Sequence, residues 1–152
     1  MATRSTIALE YADGTVDQIY CHWDGYLEGV GKTLLDHYMD PFKVQEMMDL
    51  GDISSLGLVI GEKHPFGPFE LPGMSMAEYE DQFGHMTTFY GRDRDQDGTT
   101  ARRFASFDDY VENHQYEEFE YILRPDGVWY VLSHHADHDY LPLSVALEQQ
   151  VA

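Results

Sequence analysis

Tyr116-Glu117-Glu118-Phe119-Glu120-Tyr121-Ile122-Leu123-Arg124-Pro125-Asp126-Gly127-Val128-Trp129-Tyr130-Val131-Leu132-Ser133-His134 carries the clearest fold signal in the chain. From Tyr116 to Leu123 the residues alternate. Phe119, Tyr121 and Leu123 share one face, and Tyr116, Glu118 and Glu120 share the other. A period of two marks a half-buried strand. Arg124-Pro125-Asp126-Gly127 is a turn, because proline presets φ and glycine admits positive φ. Val128 to His134 is the return strand, and two such runs around a tight turn make an antiparallel hairpin.

The N-terminus repeats the pattern. Ile7, Leu9 and Tyr11 alternate with Ala8 and Glu10, Asp13-Gly14 turns the chain, and Val16 to Trp23 returns. Cys21 and Trp23 fall with Ile19 on the core face, with His22 and Tyr26 more exposed. Val30, Leu34, Leu35 and Tyr38 recur at helical spacing, predicting a helix over Val30 to Tyr38 with Leu34 and Leu35 in the core. Asp40-Pro41 starts a second helix, which Gly51 ends. Glycines and prolines between Gly57 and Gly73 imply a long ordered loop. Ser75-Met76-Ala77-Glu78 is a capping box ahead of a Met76, Tyr79, Phe83 stripe. Gly91 to Thr100 reads as polar loop. Ser106 opens a short helix with Phe107, Tyr110 and Val111 inward, and Pro142 to Gln150 closes the chain as a helical turn. With no repeat and no linker, residues 1–152 form a single α+β domain. Its antiparallel sheet is built from two or more hairpins, with short helices packed on one face.

Composition narrows the function. Of 152 residues 43% are hydrophobic and 14% aromatic, which excludes wholesale disorder. Nine Lys and Arg stand against 28 Asp and Glu, a net charge of −19, which excludes direct nucleic-acid or anionic-lipid binding through a basic surface. No run of about 18 apolar residues predicts a membrane span. Met1 to Thr6 carries no secretory pattern. The single Cys21 fits a reducing cytosol, so the expected location is cytoplasmic.

Three motifs invite chemistry. Gly29-Val30-Gly31-Lys32-Thr33 resembles the end of a phosphate-binding loop, but Tyr26 stands where the first glycine belongs. Asp93-Arg94-Asp95-Gln96-Asp97-Gly98 matches the first half of a calcium loop, with Asp93, Asp95 and Asp97 as ligands, yet Phe104 replaces the bidentate glutamate. His134, His135 and His138, interleaved with Asp137 and Asp139, could bind zinc. No second ligand cluster stands at a fixed spacing from them. Nucleophilic catalysis finds neither a Gly-x-Ser-x-Gly elbow nor a polar setting for Cys21. No catalytic residue and no cofactor is expected, and the aspartate loop and histidine cluster define a metal-binding or metal-enzyme alternative.

Charge is the larger anomaly. Residues 1–50 carry nine acids and three bases, residues 51–105 nine and five, and residues 106–152 ten acids with Arg124 as their one base. The excess is spread along a folded chain and densest at its end. Glu118 and Glu120, two residues apart on a strand, are spaced about 7 Å, close to the spacing of successive phosphates on one DNA strand. Acidic surfaces also serve solubility and salt tolerance, and Lys occurs only at 32, 43 and 63. As a partner-binding face, the sequence nominates Asp108, Asp109, Glu112, Tyr116, Glu117, Glu118 and Glu120.

The stretch Ile19-Tyr20-Cys21-His22-Trp23-Asp24-Gly25-Tyr26, followed by Gly29-Val30-Gly31-Lys32-Thr33-Leu34-Leu35-Asp36-His37-Tyr38, resembles a family of small proteins carried by bacteriophages and mobile elements. Gly51 to Leu56, Tyr90 to Arg94 and Trp129 to Val131 are similar to it too. The resemblance brings no catalytic residues. It implies a context in which small acidic proteins act as decoys for DNA-binding sites. The expectation is a non-enzymatic inhibitor that binds the nucleic-acid groove of a host nuclease, restriction enzyme or CRISPR effector as a DNA mimic, with no direct nucleic-acid or membrane contact.

Overall fold

The computed structural model describes residues 2–135 and 139–151. Both predicted hairpins form. β1 (Ser5–Glu10) pairs antiparallel with β2 (Val16–Cys21), Ile7 opposite Ile19. The Asp13 carboxylate accepts from the Thr15 amide at 3.0 Å, and Gly14 takes φ 94° in the turn. In the C-terminal third, β6 (Phe119–Leu123) pairs antiparallel with β7 (Trp129–Ser133), Tyr121 opposite Val131.

The hairpins join through β1 and β6, which run parallel with Ile7 beside Tyr121. A parallel joint needs a long crossover rather than a turn, and the chain between the hairpins supplies it. That crossover contributes β3 (Ile53–Ser55), β4 (Thr88–Phe89) and β5 (Arg102–Phe104). Beside β2, on the edge away from β1, β5 pairs with its start and β3 with its end. With β8 (Leu141–Pro142) beyond β7, the path across the sheet is β4-β3-β2-β1-β6-β7-β8. The sheet is therefore mixed, not purely antiparallel.

Helices cover both faces, which corrects the one-face expectation. On one face Ile7, Leu9, Ile19, Tyr121, Leu123, Trp129 and Val131 meet α1 (Lys32–His37), α2 (Pro41–Leu50) and α6 (Leu143–Val151) through Leu34, Val44, Met47, Met48 and Leu143. The alternate residues Ala8, Val16 and Ile122 point the other way. There they pack with Phe104 and with Tyr110 of α5 (Phe107–Asn113). The second face carries polar side chains such as Gln18 and Glu120, so its burial was invisible to a hydrophobic pattern.

Local signals placed several elements accurately. α2 starts on the Asp40 carboxylate, which accepts from the Phe42 amide at 3.0 Å, and ends at Gly51 with φ 88°. α3 (Met76–Phe83) carries both halves of its capping box. Other boundaries moved. The segment before α1 winds as a π-helical turn, Leu27–Gly31. A Cβ on Gly29 would lie 2.3 Å from the Asp24 carbonyl oxygen, so this glycine serves backbone approach rather than phosphate binding. Trp23 lies beyond the end of β2 and is 45% exposed, not core. Leu34 is buried and Leu35 half-buried, with Tyr26 exposed as expected. Part of the expected polar loop is helical, α4 (Tyr90–Arg94). Val111 faces outward.

Candidate interaction surface

The distribution of positive charge shapes the surface. Arg103 donates twice to the Asp17 carboxylate, both at 2.9 Å, and Arg102 twice to Asp52 at 3.0 and 3.1 Å. Arg124 reaches Glu10 at 2.7 Å. Arg92 binds Asp93 at 3.0 Å and the carbonyls of Ile60, Gly61 and Thr87. Asp17, Asp52 and Asp93 are buried. A buried carboxylate without a partner is costly, so pairing at these positions is a condition of folding. Burial pushes the Asp17 pKa up, but its bonds from Arg103 and Tyr11 outweigh that and hold it below the usual aspartate value. Lys43 donates to the carbonyls of His37 and Leu58, and the Arg94 guanidinium stands 5.1 Å over Phe66. Much of the basic complement is thus engaged in contacts within the molecule.

The nominated face is assembled in part. Asp108 and Glu112, on α5, are exposed, and their side chains make no hydrogen bond among the described residues. Asp109 is half-buried and accepts from the Ala105 amide at 2.9 Å and Asn113 Nδ2 at 2.8 Å, so it secures the helix start. Glu117 accepts from Gln115 Nε2 at 2.9 Å. Glu118 accepts from the Arg4 amide at 2.9 Å, the main reason its carboxyl lies below the usual range, and from His135 Nε2 at 3.3 Å. Tyr116 is exposed, and its ring packs 4.4 Å from that of His114.

Glu120 does not belong to this face. It is fully buried beneath α5, with Oε1 on His114 Nε2 and Oε2 on His134 Nε2. The phosphate-like pitch of Glu118 and Glu120 is therefore not displayed to solvent. His114 Nδ1 lies 2.6 Å from the Tyr110 carbonyl, so both of its ring nitrogens face acceptors, which favours the charged imidazolium. Burial opposes that charge, but the Glu120 carboxylate outweighs it and raises the His114 pKa.

The metal alternatives come apart. Asp93 points inward, accepting from the amides of His64 at 3.1 Å and Phe89 at 2.8 Å. Asp95, at φ 53° after α4, is exposed and pairs with Lys63, and Asp97 is exposed. His134 is bound to Glu120 and His135 to Glu118, while His138 lies outside the described residues. Among the described residues, no group of three or more His, Cys, Asp and Glu side chains is arranged to hold a metal ion.

One feature escaped the sequence pattern. A cleft of about 390 Å³ opens between the end of β2, β3 and α3, walled by Trp23, Phe66, Phe69, Met76 and Tyr79. The signal for it was Phe66-Gly67-Pro68-Phe69, two aromatics in a glycine- and proline-rich loop where no strand or helix could bury both. Among the described residues no helix is long and apolar enough to cross a membrane. No family model, curated protein or solved structure matches the chain.

Proposed function

We propose that this chain is an acidic, phage-type inhibitor that acts in the host cytoplasm. It binds the nucleic-acid groove of a host defence protein, a nuclease, restriction enzyme or CRISPR effector, as a DNA mimic. One observation carries the reading: arginines pair with the buried Asp17, Asp52 and Asp93, while the side chains of Asp108 and Glu112 stand exposed with no hydrogen bond or ion pair among the described residues. A surface of fixed carboxylates attracts a basic groove at long range and accelerates encounter. The partner face comprises Asp108, Glu112, Tyr116, Glu117 and Glu118, with Asp109 holding the helix that presents it.

The test is competition. Proteins captured from host lysate on the immobilised chain should bind duplex DNA and should be released by it. The double variant Asp108→Lys/Glu112→Lys should weaken capture by about tenfold or more, the scale of one or two strong interfacial charge pairs. Its fold should be unchanged, because both side chains are exposed and make no hydrogen bond or ion pair among the described residues. A partner that holds DNA and this chain together, or that binds the double variant as tightly as the parent, overturns the mimic.

A further inference from the structure

We infer that the cleft at the end of β2 is a receptor for an arginine side chain of a partner protein. Its walls are aromatic and unusually open: Trp23 is 45% exposed, Phe69 78% and Met76 60%. Exposed large apolar groups gathered in one patch mark an interaction site rather than a core. Its edge is acidic. Asp24 and Glu80 both line the cleft, are exposed, and make no hydrogen bond through their carboxylates among the described residues. Aromatic faces with carboxylates at their edge form a site for a cation, and the net charge of −19 opposes an anionic occupant. Guanidinium fits best, because it is planar, stacks on aromatic faces and offers paired donors to a carboxylate. The molecule already makes such a contact itself, with Arg94 over Phe66.

The site is held in place. Trp23 packs edge-on against His22 with ring centres 4.8 Å apart. Asp24 takes φ 57°, in the left-handed region, while its carbonyl accepts from the Val30 amide at 2.8 Å. The neighbouring Gly25 amide donates to the Thr3 carbonyl at 2.8 Å. Asp24 is thus held at the rim by hydrogen bonds at both polar groups of the peptide that follows it. The inference does not require nucleic-acid mimicry; it requires only a partner that presents an arginine.

The experiment follows the two indole N–H signals by NMR while a short blocked Gly-Arg-Gly peptide is added. Trp129 is buried and bonded to the Tyr38 carbonyl, so it is an internal control of the fold. Trp23 should shift saturably and Trp129 should not. The citrulline peptide, neutral and nearly isosteric, should bind about tenfold more weakly or less. Asp24→Asn/Glu80→Gln should lose the response, and asparagine tolerates the left-handed backbone at that position. Equal binding of the citrulline peptide, equal binding of a blocked Gly-Lys-Gly peptide, or a non-saturating shift would each overturn the proposal. No nucleic-acid-binding protein enters this measurement, so its failure is separable from failure of the mimic.

Discussion

Glu120 shows how one residue can change sides. Strand alternation assigned it to the polar face, and that assignment holds: it points away from Tyr121 and toward α5. What alternation cannot report is that α5 covers the face. Two imidazoles then become the means of burying a carboxylate, and His114 carries a pH dependence. Its pKa is raised in the folded state above the ordinary value of about 6.5. The stability it confers is complete below that value and is lost as pH rises through the raised folded value. His114→Gln should therefore destabilise the protein by about 2 kcal/mol near pH 6 and by clearly less near pH 9. Urea unfolding of both proteins at the two pH values checks this, and an equal cost at both would mean that the ring is not charged. Cys21 is the opposite case. Its alternation with Ile19 indicated a small core residue, and burial pushes its thiol up to about 12.

At the scale of the element, legibility followed locality. α2 and α3 were readable because their caps lie within the segment: Asp40 and Gly51 for one, Ser75 and Glu78 for the other. Ser75 Oγ accepts from the Glu78 amide and the Glu78 carboxylate from the Ser75 amide, each at 3.1 Å. Ser75→Ala removes one of these bonds outright and should cost about 1 kcal/mol, measured as a lower urea midpoint with an unchanged slope. No loss would mean that tertiary contacts alone hold α3. The strands β3, β4 and β5 were unreadable for the converse reason. Each has two or three residues, too few to show a period, and each exists because a neighbouring strand offers an edge. The aromatic cleft inherits that difficulty, since β3 and α3 meet there only after the crossover is laid down.

Across the whole molecule, the total charge was legible from composition but its placement was not. Sequence counting located the densest excess after residue 105; the fold decides which acids reach solvent. The Arg102–Asp52 and Arg103–Asp17 pairs are shielded on their acidic side, so salt screens them less than it screens repulsion among exposed carboxylates. These two effects have opposite signs as salt rises. Screening of the −19 surface should dominate, because it sums over many exposed acids whereas the bridges are few. Raising ionic strength from about 0.01 M to about 0.15 M shortens the Debye length from about 30 Å to about 8 Å. The melting temperature should rise by several degrees over that range. In the same interval the association rate with a basic partner should fall, because the field that strains the folded chain is the one that steers it. A melting temperature that falls with salt would place the dominant electrostatics in the arginine–aspartate bridges instead, and would remove the uncompensated surface on which the proposed function depends.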